Sequence, residues 1–486
     1  MPNSYASAGQ LDDGRSDQVC VPWQRHGSEP LLVGGGIFQI TPRSKLRAVG
    51  VLDKLRHSCI GRFYLNHLRH YRFVRFCTIW LWQRGFSLYV SILLFVKLRT
   101  KAGAWLSLVD VFDYAERPEA GIPHILADST MVATPSPIAF PERDQAILIS
   151  PHESYVFPEI IVTTVRHATV SGGTNLVVCD GEVIHHNLYD FDRDYTSEEL
   201  HGRYGIAPRQ KRICLLSHDD PEPEVVERAA VFVDACAYNY AHWLTEVLPR
   251  IAIFCREGCY KNVPLIINDG LHCNLLESLR LITMGRRPII MLPIDRSIIV
   301  SELLLTSVVG YVPFERRNAH LSGHSHGMFS PVAFAEMRRC LFEAAQVVPS
   351  PGWPNKIYLR RNSGLRKVVN SAEIEHTLVA QGYTVIEPEK LSFIVQVQLF
   401  SQAEAVVAST GAAVANIVFC PPGIRITILI ARFPDTSYWY WQNIALASGN
   451  AVRYVLGEVV GGIGAGIHSD FRIEVKDLLN SLADQE

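Results

Sequence analysis

From about Val231 to about Ile430 the chain alternates short apolar runs with amphipathic stretches of helical period, and few folds accept that pattern. AAVFVDA reads as a buried strand, HWLTEVLPRIAIFCREG as an amphipathic helix, VPLIIND as a strand, and HCNLLESLRLITMG as a helix ending at Gly285. A second set follows, with NKIYLRR, YTVIEP, AVVAS and IRITILI as strands and SAEIEHTLVAQG, VQVQLFSQA and AAVANIVF as helices. Strand–helix alternation builds parallel α/β sheets, because each crossover must return the chain to the same edge. Two sets flanking the Pro-rich VVPSPGWPNK predict two Rossmann-like lobes, the first together with a preceding β module over 145–335 and the second over 350–475. Ahead of the first, EIIVTTVRHATVSGG and TNLVVCDGEVIHHN alternate apolar and polar residues around Gly-rich and Asp-Gly turns, which predicts a small antiparallel β module.

The 486 residues, 48% apolar, suffice for two or three domains. Residues 1–42 are rich in Gly, Ser, Asp and Pro and read as a disordered lead-in. The formal net charge of −2 hides a basic segment over 43–110. Its most apolar stretch, Phe73 to Val96, is interrupted by Arg75, Gln83, Arg84 and Gly85, so it offers no clean membrane span. Trp, Phe and Leu flanked by Arg62, Arg69, Arg72, Lys97, Arg99 and Lys101 suit a segment lying in the membrane interface. A helix buried against the body fits the same residues. Eleven cysteines without a CxxC framework read as reduced thiols, and the N-terminus lacks a secretory-signal pattern. Together these predict a cytoplasmic protein, peripheral at the membrane if the basic segment docks there. No feature calls for a nucleic-acid partner.

Three constellations carry chemistry. In YNYAHWLTEVLPR, Asn239 and His242 follow a strand end, where open α/β sheets bind ligands, and Glu246 lies four residues beyond His242 on the same helix face. A carboxylate beside a histidine holds one tautomer and lets the ring accept a proton from a sugar hydroxyl; the same pair can also be a capping or core arrangement. In IYLRRNSGLRKVVNSAEI, Arg360, Arg361 and Arg366 surround a loop after a strand, and planar guanidiniums match diphosphate oxygens. A solvated basic loop is the alternative. Asn370 or Ser371 is placed to cap the helix that follows. In VVASTGAAVANIVFCPPG, a strand ends at Ser409, then Thr410, Gly411 and Ala412 open a tight turn into a helix whose amides could meet phosphate.

The order of these blocks, with GYTVIEPEKLSFIVQVQLF between the last two, resembles glycosyltransferase family 61 of the capsular polysaccharide biosynthesis type, over roughly 200 residues. The resemblance implies a GT-B-like pair of lobes, donor nucleotide bound mainly by the C-terminal lobe, acceptor by the N-terminal one, and inversion at the anomeric carbon. It implies a nucleotide-sugar donor and a glycan or lipid-linked acceptor in surface polysaccharide synthesis. Carried onto this sequence, His242 and Glu246 become the catalytic pair. Arg360, Arg366, Gly411, Ala412 and Asn416 become donor contacts, joined from the reading of the two loops by Arg361, Ser409 and Thr410, and Asn239, Trp243, Arg250 and Glu389 line the acceptor cleft. Arginines that neutralise the leaving diphosphate make a divalent metal dispensable, and no cofactor is called for. Two positions depart from the family pattern: Thr410 stands where a His is usual and Ile428 where an acidic residue is usual. They motivate the alternative of a catalytically degenerate glycan- or nucleotide-binding scaffold. Asp190, Asp192 and Asp194 have DxD spacing but precede the first lobe strand and read as a turn, and His320, His324 and His326 lie in a Ser/Gly loop without a completing ligand.

Overall fold

Glu224–Val231 (β2), Leu265–Asn268 (β3), Ile289–Leu292 (β4) and Ser297–Thr306 (β5) form the parallel heart of a twelve-stranded sheet, with the short strand Ile37–Gln39 (β1) on its outer edge in the order β1-β4-β3-β2-β5. Beyond β5 the sheet turns antiparallel through Ile160–Ser171, Val177–Cys179 and Glu182–His185. Near-continuous apolar runs suit the parallel strands because both of their faces are covered. β3 is buried at all four positions. A computed structural model describes residues 37–39, 105–149, 152–200, 203–207, 210–215, 223–313, 327–348, 352–363, 365–433, 438–460 and 469–483. The Phe73–Val96 stretch and the three loop histidines lie outside them. Among the described residues no helix is long and apolar enough to cross a membrane, and no disulfide forms among the described cysteines.

A second sheet takes the C-terminal part of the chain. Lys356–Leu359 (β6), Thr384–Ile386 (β7), Ala405–Ser409 (β8), Arg425–Ala431 (β9) and Ala451–Val459 (β10) run parallel in the order β7-β6-β8-β9-β10. The chain is thus a mixed α/β protein with several sheets. One apolar cluster runs from beneath the first sheet, through Trp243 and Ile251, to Val397, Val414 and Ile444 beneath the second.

Three features differ from the sequence expectations. The lead-in 1–42 contributes β1, and the basic segment 43–110 ends in the strand Trp105–Asp110. Ile138–Phe140 joins β10 as a parallel strand, so chain ahead of the first predicted lobe completes the second sheet. AAVANIVF forms a 3₁₀ helix, Ala412–Phe419, instead of an α-helix; its first turn closes with Val414 N–H donating to the Gly411 carbonyl at 2.9 Å.

Candidate active site

The segment after β2 starts a short helical turn at Tyr240–His242, capped by Asn239, whose side chain accepts from Ala241 N–H at 2.9 Å. It then widens into a π-helical turn, Trp243–Val247, before the Leu248–Arg256 helix. Pro249 accounts for the widening: it has no N–H, and its ring would clash with the Thr245 carbonyl one α-turn back. That carbonyl faces Gly310, where a Cβ would lie 2.3 Å from the oxygen and 3.2 Å from Glu246 Cγ, so only glycine lets the neighbouring segment nest here. Inside the widened turn His242 Nδ1–H donates to Glu246 Oε1 at 2.5 Å. Both side chains are nearly buried, 13% and 12% exposed, so the contact is a low-dielectric one. Burial alone pushes the imidazole down; Glu246, with help from Asp234, more than reverses this and leaves His242 above its ordinary value. Glu246 is raised by burial against the opposing pull of His242.

The arginines after β6 divide. Arg360 turns to carboxylates: its Nε donates to Glu375 Oε1 at 2.9 Å and Nη1 to Glu387 Oε1 at 3.3 Å, with a further contact from Nη2 to Glu375. A phosphate at Arg360 would have to displace both. Arg361 and Arg366 have no carboxylate partner among the described residues. Arg361 donates to Leu365 O and Ser363 Oγ at 2.9 Å each, and burial followed by repulsion from Arg366 lowers it to about 10. Arg366 is lowered by burial, its Nε has no hydrogen-bond partner among the described residues, and its φ of +57° is strained for a residue with a Cβ. Gly411 lies against Arg361: a Cβ there would sit 1.9 Å from Nη1. Ser409 Oγ, also buried, lacks a partner among the described residues. Two half-buried cations with open donors, beside a glycine turn, have the chemistry to receive an anion.

The two clusters approach one another. Tyr440, on the helix Trp439–Ala447, bonds to Thr245 in the π turn and lies within electrostatic reach of both Glu246 and Arg366. Tyr240 O–H donates to Asn416 Oδ1 at 2.7 Å, with Gln396 Oε1 at 3.1 Å as a second acceptor.

The remaining sequence candidates are placed elsewhere. Trp243 is fully buried and its Nε1–H donates to Ser278 Oγ at 2.8 Å, so it anchors the π turn in the core and does not line a cleft. Arg250 is 4% exposed and faces an internal cavity. Glu389 is exposed beside Asn362, which donates to it at 2.5 Å, and belongs with the Arg360 cluster. Asn416 has no exposed surface; its amide donates to Gln396 Oε1 at 2.8 Å and Ala413 O at 3.2 Å, so it holds the turn instead of reaching a donor. Thr410 accepts from Trp441 Nε1–H at 3.1 Å and points inward. Ile428 pairs with Ala408 and Tyr454 in mid-strand, fully buried, where a carboxylate would be stripped of water. Asn370 exchanges hydrogen bonds with the backbone of Ile473 and does not cap its helix through the side chain. Asp190 and Asp194 bracket Arg193 in a turn, with Asp194 Oδ2 accepting at 2.8 Å. Sequence reasoning missed Tyr240, Asp234, Gly310 and Tyr440; the signal for Gly310 was a lone glycine in an apolar strand run.

The sequence model of the family described as Glycosyltransferase 61 matches residues 240–427, which begin at Tyr240 and end within β9. Over this span the chain carries a glycosyltransferase family 61 domain. The matched span holds both the His242–Glu246 pair and the Arg361–Arg366–Gly411 cluster. No curated protein matches the sequence.

Proposed function

We propose that this family 61 protein is an inverting glycosyltransferase of GT-B-like, two-lobed design that moves a sugar from a nucleotide-diphosphate donor to a hydroxyl of a glycan or lipid-linked acceptor. The observation that carries the reading is the buried His242 Nδ1–Glu246 Oε1 contact of 2.5 Å, linked through Tyr440 to a cation pair with no carboxylate partner among the described residues. Glu246 fixes the ring so that Nε2 takes the acceptor proton. The acceptor oxygen then forms its bond to the anomeric carbon from the face opposite the diphosphate. The carbon–oxygen bond to phosphate breaks, and its electron pair leaves on the diphosphate. Arg361 and Arg366, with amides of the Gly411–Ala412 turn, offset that charge, commonly the largest catalytic contribution. Guanidinium neutralisation makes a divalent metal unnecessary, and abolition of turnover by EDTA would contradict this. A role in surface polysaccharide synthesis, at the cytoplasmic face of the membrane, accords with such substrates.

Transfer assays with His242→Ala and Glu246→Gln test the base. Turnover should fall with donor affinity kept, and undiminished turnover in His242→Ala would end the assignment. The scaffold alternative draws on Thr410 and Ile428, whose side chains face inward here. Nucleotide binding without turnover across a donor panel would favour the scaffold.

A further inference from the structure

Glu246 shares a small cavity of about 20 Å³ with Asp234, Asn175 and Arg250, a volume that admits about one water. Asp234 follows β2 and is held on three sides. Its Oδ1 accepts from Cys236 N–H at 2.7 Å, its Oδ2 from Asn175 Nδ2 at 3.3 Å, and its own N–H donates to Asn268 Oδ1 at 3.0 Å. Arg250 lies over the Phe232 ring at 5.5 Å. Its Nε and the Asn175 Oδ1 are a buried donor and a buried acceptor on this cavity with no partner among the described residues. Two carboxylates in one buried space repel each other unless a cation lies with them, and Arg250 is that cation.

We propose that Asp234 is a positioning residue of the catalytic pair: a second fixed carboxylate, kept beside Glu246 by Arg250, that stabilises the imidazolium of His242 when the ring takes up the acceptor proton. This rests on the reading of His242 as the base. The electrostatics agree in direction: Asp234 raises His242 and Glu246, while Arg250 lowers Glu246. The other titratable groups nearby are poor substitutes. Burial holds His186 well below its ordinary value and pushes Tyr189, Tyr311, Cys236 and Tyr440 up, so all are neutral near pH 7. Glu198 is raised by burial and by Asp234, and has its own cation in Arg203.

The test is a pH titration of histidine ring carbons by NMR in the full-length protein, with the His242 signal assigned by its loss in His242→Gln. Asp234→Asn should lower the His242 pKa by about one unit, roughly tenfold in proton affinity. Both side-chain contacts can survive, because the new amide oxygen still accepts from Cys236 N–H and the new NH2 donates to Asn175 Oδ1 once that amide turns. Asn175→Asp alone adds a carboxylate at the half-buried edge of the cavity and should move His242 the other way. The double exchange, Asp234→Asn with Asn175→Asp, should bring it back toward the wild-type value. A His242 pKa unmoved in Asp234→Asn, or in Asn175→Asp if the first variant does not fold, would overturn the proposal. That failure leaves the base assignment standing if His242→Ala still abolishes turnover, whereas undiminished turnover in His242→Ala removes the base whatever Asp234 does.

Discussion

The two charged clusters of this protein are built on opposite principles. Around His242 the buried charges are matched: Glu246 and Asp234 lie with the imidazole and Arg250, and the set is nearly closed to solvent. After β6 they are unmatched: Arg361 and Arg366 repel each other, with no carboxylate from the described residues between them. A matched set is stable without ligand and can be tuned as a proton acceptor. An unmatched pair gains when an anion arrives, because each desolvated guanidinium then finds its acceptors. Arg360, one residue away and fully answered by Glu375 and Glu387, shows what the same side chain does when structure supplies the anion.

The sharpest break between the clusters should come at the proton acceptor. His242→Ala should lower turnover by about 10²- to 10⁴-fold while leaving nucleotide affinity near wild type, as measured by transfer assay and calorimetry. On the cationic side, Arg361→Ala should cost about 10²- to 10³-fold in kcat/KM together with nucleotide affinity, whereas Arg360→Ala should cost far less. Equal losses at the two positions would erase the distinction between answered and unanswered guanidiniums. Gly411→Ala should act as a weaker Arg361→Ala, since its methyl occupies the place of Nη1 and the side chain must swing away; calorimetry with a nucleoside diphosphate reads the loss.

The smallest effect is a shift with pH. Because His242 sits above its ordinary value of about 6.5, turnover should fall with acid at an inflection above that value. The folded-state pKa is raised, so the stability His242 contributes is present in full below the unfolded value and lost as pH rises through the folded one. An inflection at or below 6.5 would mean that Glu246 does not hold the ring as described.

Much of this was legible in the sequence, for local reasons. Strand–helix alternation announced the parallel strands β2–β5 and β6–β10, and four-residue spacing put His242 and Glu246 on one face. The π turn was less visible, although Pro249 carries its cause. Arg360 and Arg361 end an extended run, where successive side chains point to opposite faces. One of them had to turn from the receptor, and only the position of Glu375 and Glu387 decides which. Trp243 and Arg250 match the family pattern, yet tertiary packing sends both inward, and no local signal distinguishes a cleft residue from a core one. The addition of Ile138–Phe140 to β10 pairs residues more than 300 apart, beyond any short-range pattern.

The division between the clusters is tested most directly by thermal shift with UDP, GDP and CMP, and their sugars, on wild type, His242→Ala and Arg361→Ala. A ligand that binds only the native state raises its melting temperature by mass action. One nucleoside diphosphate should stabilise wild type and His242→Ala alike and leave Arg361→Ala unmoved. Equal stabilisation of Arg361→Ala, or none of wild type by any nucleotide, would contradict the assignment of the donor diphosphate to the unmatched arginines.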